Sequence, residues 1–250
     1  MKILLLNPNT SLSMSEDIAA AARAVAGAGT EIDCRQPLFG SVAIDSAAES
    51  YLAAVGVMDL VATLAAEDTW DHDAVILAGF GEHGRDALQE MLTVPVFDIA
   101  ECAAHIAQLI GRRYAVVTTL ARSIAPIEER LLLAGLAAHC VSVRACGLST
   151  AEVDADPAAA VAAIVDEAAR AVDDDGADVI CLGCAGMAGV TAQITAELGV
   201  PAIDGVGAAV ALAQAVVGLG LATSKAGAYA PGPSNPRSHW PISAALGLRP

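Results

Sequence analysis

Apolar and polar positions follow two different rhythms along the chain, and these predict strands and helices in turn. Short runs of consecutive apolar residues, such as Ile3-Leu4-Leu5-Leu6, have the length of strands that are buried on both faces. Longer Ala-rich stretches with spaced polar residues are typical of helices. The predicted strands are 2–7, 30–34, 74–78, 95–98, 113–118, 140–145, 178–182 and 201–203. The predicted helices are 11–27, 46–66, 84–92, 100–110, 122–136, 151–174, 188–198 and 205–218.

An internal repeat divides this series of elements into two. The run Val75-Ile76-Leu77-Ala78-Gly79 leads through a helix to Val94-Pro95-Val96, and Val179-Ile180-Cys181-Leu182-Gly183-Cys184 leads through a helix to Val200-Pro201-Ala202. The strands 3–7 and 114–118 form a third pair, each ending in a polar segment. Chance similarity between Val-rich strands is the alternative, which three pairs in the same order disfavour.

The alternation of strands and helices predicts an α/β fold of two pseudo-symmetric Rossmann-like (flavodoxin-like) halves, each a parallel sheet flanked by helices. We assign 1–95 plus 205–230 to the first half, 96–204 to the second, and 231–250 to a Pro/Gly-rich C-terminal tail. Ligands of such sheets bind outside the carboxyl ends of the strands, so equivalent loops are expected to line one cleft.

Charge and composition narrow the class of partner. The net charge of −16 repels nucleic acid and anionic membrane surfaces, and only 3% of the residues are aromatic. The apolar start of the chain is too short for a signal peptide, so we expect a cytoplasmic protein with six reduced cysteines. As partners we expect a small-molecule substrate and further copies of the same chain in a homo-oligomer. Cys181 and Cys184 lack the further ligands of a metal site, so no metal is predicted.

Cys184 is the strongest candidate for chemistry. It lies between small residues in Gly183-Cys184-Ala185-Gly186-Met187, where a strand ends and a helix is predicted to begin. Backbone N–H groups at such a place favour a thiolate, which suits a base or a nucleophile. The alternative is a buried structural thiol, which we assign to the other five cysteines.

Three further loops follow predicted strands. The first half has a loop equivalent to that of Cys184, with the sequence Gly79-Phe80-Gly81-Glu82-His83-Gly84. Its titratable residues Glu82 and His83 are either bases or exposed residues at the start of a helix. Asn9 and Thr10, and their repeat counterparts Thr118 and Thr119, are either ligand contacts or helix caps.

At these residues the sequence resembles the aspartate/glutamate/hydantoin racemase family, and within it the hydantoin and allantoin racemases. The resemblance covers nearly the whole chain. It is carried by Asn7-Pro8-Asn9-Thr10-Ser11, Phe80-Gly81, Gly183-Cys184-Ala185-Gly186-Met187, Gly199-Val200-Pro201 and Thr223-Ser224-Lys225.

The resemblance implies a racemase without a cofactor, in which two cysteines exchange protons with opposite faces of a carbon α to a carbonyl. Cys184 is then the second cysteine. The implied substrate-binding residues are Asn9, Thr10, Phe80, Gly81, Thr118, Thr119, Ala185 and Gly186, and Ile44 is expected to shape substrate choice.

Gly79 departs from the family pattern, because it stands where the first cysteine is expected. Three explanations are open: an inactivating substitution, replacement of the base by His83 or Glu82, or chemistry with one cysteine. Arylmalonate decarboxylases resemble the last arrangement, but they carry a Thr/Ser-rich loop that this chain lacks. Hydantoin-type chemistry is therefore ranked first, and decarboxylation or a binding protein without turnover second. Restored racemisation in Gly79→Cys would show that only a base is absent.

Overall fold

A computed structural model describes residues 1–66 and 70–232 and has an α/β architecture. Its strands are β1 (Lys2–Leu6), β2 (Glu31–Arg35), β3 (Ala74–Leu77), β4 (Val96–Asp98), β5 (Tyr114–Thr118), β6 (Cys140–Ala145), β7 (Val179–Leu182) and β8 (Ala202–Asp204). Its α-helices are α1 (Leu12–Val25), α2 (Ala47–Ala66), α3 (Arg85–Met91), α4 (Ile99–Ile110), α5 (Ile124–Leu133), α6 (Thr150–Ala155), α7 (Pro157–Asp173), α8 (Thr191–Leu198) and α9 (Gly205–Gly218). Short 3₁₀ helices cover Ala121–Ser123, Ala137–His139, Ala185–Val190 and Gly227–Tyr229.

The strands form two parallel sheets with the same topology. The first has the order β2-β1-β3-β4 and the second the order β6-β5-β7-β8. In each sheet the strand pairs are parallel, and the register sets Leu6 beside Leu77 in the first sheet and Val117 beside Leu182 in the second. The predicted fold class, with two related halves, is confirmed.

Both faces of each sheet are buried, which explains why the strands read as continuous apolar runs. In β1, Ile3 and Leu5 point into a central cluster that both halves share, whereas Leu4 and Leu6 point into an outer cluster with α2 and α3. The outer face of the second sheet packs against α7 and α8 in a third cluster. The central cluster therefore joins the halves.

Two helices cross between the halves and occupy that central layer. α4 follows β4 of the first sheet but packs against β7 of the second, and α9 follows β8 of the second sheet but packs against α1 and β3 of the first. α4 and α9 also pack directly against each other. Each half thus supplies a helix that covers its partner's sheet.

Three sequence-based boundaries need correction. The predicted boundary at 95/96 is wrong for Val96–Asp98, because β4 pairs with β3 and belongs to the first sheet. The predicted helix 151–174 is two helices, because Asp156 precedes Pro157 and leaves the helical region at φ −138° and ψ 81°. The predicted helix 122–136 stops at Leu133, since Gly135 turns the chain with a left-handed φ of 76°. Positions 233–250 of the predicted tail lie outside the described residues.

α2 is the one helix of the described residues that is long and apolar enough to cross a membrane by length and composition. Its Val57 and Val61 are fully buried against Leu4, Leu6 and the other residues of the outer cluster. In the structure α2 is a packed helix of the first half.

Candidate active site

Gly79 and Cys184 occupy equivalent places in the two sheets. Each is the second residue after the third strand of its half, since β3 ends at Leu77 and β7 ends at Leu182. Both loops therefore leave the carboxyl edge of a central strand, where parallel sheets place their ligand sites. The topology reproduces the equivalence that the sequence repeat predicts.

A tightly packed glycine, Gly183, connects β7 of the second half to Cys184. A Cβ on Gly183 would lie 3.0 Å from both Thr118 Cβ and Val116 Cγ1, which leaves little room for a side chain. The backbone of Cys184 is extended, with φ −154° and ψ 136°, and its carbonyl accepts from Met187 N at 3.1 Å. The thiol is half-buried, and the 3₁₀ helix Ala185–Val190 packs against α1 of the first half.

The imidazole of His83 occupies the space beside Gly79. An ideal Cβ on Gly79 would collide with His83 Cδ2, and would lie 2.9 Å from His83 Nε2 and 2.8 Å from Pro8 Cγ. A side chain at 79 therefore requires the imidazole to move. Gly79→Cys would thus add a thiol and displace the imidazole at the same time.

His83 is buried, which corrects the alternative of an exposed helix-start residue. Its exposed fraction is 8%, and its Nδ1 lies 2.9 Å from Ser50 Oγ of α2. Burial lowers the pKa of His83 to about 4, against a smaller upward effect of the Asp98 carboxylate. The ring is therefore neutral near pH 7.

Both carboxylate oxygens of Glu82 contact other protein groups. One carboxylate oxygen accepts from Gly84 N at 2.8 Å, and the other lies 3.7 Å from Arg130 Nη1 of the second half. A second contact between the halves runs from Arg122 Nη1 to Asp45 O at 3.4 Å, next to Ile44. These contacts bring loops of the first half beside residues that follow β5.

Two threonines lie at the carboxyl end of β5, and one of them contacts the residue before Cys184. Thr118 is buried, and its hydroxyl donates to Gly183 O at 3.3 Å. Thr119 is 6% exposed, and its carbonyl accepts from Gly147 N at 2.9 Å. Thr118 therefore ties β5 to the residue immediately before Cys184.

The loop after β1 is a capping structure. The Asn9 side chain is 5% exposed; its amide nitrogen donates to Met14 Sδ at 3.0 Å, and its amide oxygen accepts from Asn7 Nδ2 at 2.8 Å and Ser11 N at 2.9 Å. Ser11 in turn caps α1 by accepting from Met14 N. Both ends of the Asn9 amide are therefore bonded within the first half, and the residue that caps α1 is Ser11. Thr10 is half-buried, and its N–H donates to Ser41 O at 3.0 Å.

The remaining predicted contacts are spread over both halves. Phe80 is half-buried and packs against the central cluster, and Gly81 is buried with its N–H donating to Gly79 O at 3.1 Å. Ile44 is half-buried in the loop that precedes α2. Ala185 is buried and Gly186 is exposed, and a Cβ on Gly186 would lie 3.8 Å from Cys184 Sγ.

A profile of the family described as Asp/Glu/Hydantoin racemase matches residues 3–213. The chain belongs to this family. A hydantoin racemase of Pseudomonas sp. (strain NS671) is 36% identical over 229 residues, which cover 92% of this chain and 91% of the relative.

Two solved structures of the family share both fold and sequence. Allantoin racemase from Pseudomonas fluorescens is 52% identical with a TM-score of 0.89, covering 97% of this chain and 100% of its own. Allantoin racemase from Klebsiella pneumoniae is 37% identical with a TM-score of 0.92, covering 98% of each chain. The similarity extends over both halves and the loops between them.

Each of the six cysteines, Cys184 included, lies in or against one of the buried apolar clusters. All six cysteines lie in the described part of the chain, and none of them forms a disulfide. Burial raises the pKa of the Cys102 and Cys181 thiols, and it raises the pKa of Cys34 and Cys140 to about 11. Among residues 1–66 and 70–232, no group of three or more His, Cys, Asp or Glu is arranged to hold a metal ion.

A cavity of about 640 Å³ lies on the α1 side of the Cys184 loop. Ala185 and Gly186 line it together with Asp17 of α1 and Asp204 at the end of β8. Burial raises the pKa of the Asp204 carboxyl, against opposing hydrogen bonds from Gly207 N and Val206 N. Neither Cys184 nor the loop of Gly79 is among the residues that line this cavity.

Sequence reasoning missed Ser50 and the buried charges around Asp98. Ser50 lies far from any loop motif, and only the packing of α2 brings it to His83. Asp98 was visible as the last residue of a repeated strand, but its partner Arg130 carried no signal. No local pattern indicates which buried carboxylate a distant arginine will pair with.

Proposed function

We propose that this protein racemises a hydantoin-type ring without a cofactor, and that Cys184 exchanges a proton with one face of the ring carbon α to a carbonyl. Allantoin, a hydantoin with a ureido substituent, is the first candidate substrate. Its choice rests on the 52% identity to a protein named allantoin racemase. Wider hydantoin chemistry rests on the 36% identity to a hydantoin racemase.

The position of Cys184 is the observation that carries this proposal. Its thiol is half-buried, it is the second residue after a central strand, and the small residues Ala185 and Gly186 follow it. Each of the other thiols whose pKa is raised by burial is a poor base near pH 7. Proton transfer to or from carbon requires a thiol that reaches the substrate.

Removal of the proton leaves an enolate, whose oxygen needs hydrogen-bond donors. We assign that role to the segments Thr118-Thr119 and Ala185-Gly186, which border Cys184. Asn9 and Thr10 with Ile44, Phe80 and Gly81 are proposed to hold the rest of the ring, and Asn9 would do so by shaping its loop because its amide is already bonded. The predicted homo-oligomer and cytoplasmic location stay predictions.

Racemisation by Cys184→Ser tests the proposal. The loss of optical rotation of (S)- and (R)-allantoin and of a 5-benzylhydantoin is followed with the parent protein and the variant. We expect a loss on the order of 100-fold or more in both directions, because a serine hydroxyl has a far higher pKa than a thiol, so it neither ionises near pH 7 nor gives up its proton readily. Cys140→Ser, a half-buried cysteine at the start of β6, is the matched control and should racemise like the parent.

Equal rates in Cys184→Ser and the parent would refute the role of Cys184. The other functions considered for Gly79 have their own signatures. A decarboxylase releases carbon dioxide from a substituted malonate, and a binding protein is stabilised against heat by a hydantoin that it does not convert.

A further inference from the structure

The imidazole of His83, a residue of the same loop, fills the volume that a side chain at position 79 would need. An ideal Cβ on Gly79 would collide with His83 Cδ2 and lie 2.9 Å from Nε2, and a Cβ on Gly81 would lie 3.3 Å from Nε2. A glycine at 79 and a glycine at 81 are thus the two residues that make room for this ring. The imidazole can take this position only because residue 79 has no side chain.

The hydrogen bonds of Ser50 determine which nitrogen of His83 carries the proton. Ser50 Oγ donates its single proton to Glu82 O at 2.7 Å. It must then accept at its 2.9 Å contact with His83, which makes Nδ1 the protonated nitrogen. Nε2 is left with its lone pair, and among the described residues no hydrogen-bond donor reaches it.

We propose that His83 is the acid/base group for the face of the substrate opposite Cys184, so that the site uses an imidazole and a thiol. This inference rests on the proposed function. It explains how a chain with glycine at 79 would keep two proton-transfer groups, one in each half.

The proposed steps balance without any further reagent. Nε2 takes the proton from the ring carbon, and the electron pair of the C–H bond moves into the carbonyl as an enolate. The Cys184 thiol then gives its proton to the opposite face, so the C–H bond re-forms with inverted configuration. The site now holds an imidazolium and a thiolate, which is the form that converts the other enantiomer.

The surroundings of His83 suit both forms. Burial lowers the pKa of His83 to about 4 and so keeps the imidazole neutral near pH 7. The Asp98 carboxylate favours the charged ring, and the enolate and thiolate would each add negative charge that raises the pKa further. The Ser50 hydroxyl holds the ring orientation in both states, because Nδ1 stays protonated throughout.

Deuterium exchange of the separate enantiomers in D₂O tests the inference. The parent should exchange the α-hydrogen of both enantiomers. Cys184→Ser should exchange only the enantiomer whose hydrogen faces His83, and His83→Gln only the other, each with retained configuration and with racemisation reduced on the order of 100-fold. His105→Gln, an exposed histidine on α4, is the control and should match the parent.

Exchange of neither enantiomer by Cys184→Ser would overturn the role of His83, and this arm does not depend on whether His83→Gln folds. Racemisation by folded His83→Gln at the parent rate would overturn it as well. Failure of the proposed function looks different, because the parent itself would then exchange neither enantiomer, or Cys184→Ser would racemise like the parent.

Discussion

At the scale of single residues, a glycine in place of an expected cysteine has two meanings that the sequence does not separate. It is either the loss of a group or the space for another one. The structure favours the second, since the His83 ring occupies the position of a Gly79 side chain and Pro8 closes the other side. His83 is four residues further along the chain, and only the folded loop returns it to Gly79.

The collision predicts that a cysteine cannot simply be added at position 79. We expect Gly79→Cys to lower the free energy of unfolding by about 2 kcal/mol, because overpacking forces the buried imidazole to move. In the His83→Ala background the same Gly79→Cys substitution should cost much less, because the imidazole that it displaces is no longer there. Urea denaturation at pH 7 measures the four proteins as a cycle.

A cycle without coupling, in which the cost of Gly79→Cys is the same with His83 and with alanine, would contradict this geometry. If the double variant also racemises, a thiol at 79 can serve the face that we assign to His83. Gly147→Cys is a useful reference for cysteine addition, although its left-handed φ of 83° adds strain of its own.

At the scale of secondary-structure elements, buried charges tie α5 of the second half to β4 and α4 of the first. Arg130 is 7% exposed and its Nη2 lies 2.8 Å from Asp98 Oδ2 and 2.6 Å from Glu101 Oε1. Asp98 also caps α4 by accepting from Glu101 N at 2.8 Å. One carboxylate therefore ends a strand, starts a helix and anchors an arginine of the other half.

Removal of the arginine should leave that carboxylate buried without its main partner. We expect Arg130→Met to lower the free energy of unfolding by about 3 kcal/mol, since the buried Asp98 carboxylate then keeps only the more distant Arg85, whose Nε lies 3.5 Å away. Arg170→Met is the matched control: its pair with Glu167 is 61% exposed on the arginine side, so less than about 1 kcal/mol should be lost. Urea denaturation gives both values.

Asp98→Asn in the Arg130→Met background provides the opposing test. Neutralising the carboxylate should return part of the lost stability, because the buried charge disappears with its partner. Equal costs for Arg130→Met and Arg170→Met would show that the buried cluster does not link the halves energetically.

At the scale of the whole molecule, the two halves are held together by the exchanged helices α4 and α9. Their contact is close at the start of α9, where a Cβ on Gly205 would lie 2.7 Å from Ile99 O and 2.9 Å from Ile99 Cβ. Ile99 is itself the first residue of α4. The helix starts that follow the last strand of each half therefore meet directly.

Gly205→Ala should push these helices apart. We expect a loss of about 2 kcal/mol in the free energy of unfolding, because the added methyl meets backbone atoms that cannot rotate away. Gly218→Ala makes the same chemical change at the other end of α9, where nothing lies within 4 Å of the new Cβ. It should be neutral or stabilising by up to about 1 kcal/mol.

A stability of Gly205→Ala at or above that of Gly218→Ala, read from the midpoints of urea denaturation, would contradict close packing at this point. The two variants share composition and helix, so a difference between them reports on the contact with α4 alone.

The sequence by itself determined the elements, the class of fold and the equivalence of the two halves. Strand runs and helix periods are local patterns, and a repeat of about 105 residues is readable without coordinates. For the same reason Cys184 and Gly79 were found as equivalent positions. The break before Pro157 was readable too, because the restriction on Asp156 is local, although the long Ala-rich run obscured it.

Only the tertiary structure decided what the side chains do. The hydroxyl of Ser50 orients His83, Arg130 pairs with Asp98, and α4 crosses to the other sheet through contacts between residues far apart in the chain. Such pairings depend on the packing of whole elements, which no short pattern encodes. The same holds for Asn9 and Thr118, whose polar groups are used by neighbours that become visible only in the fold.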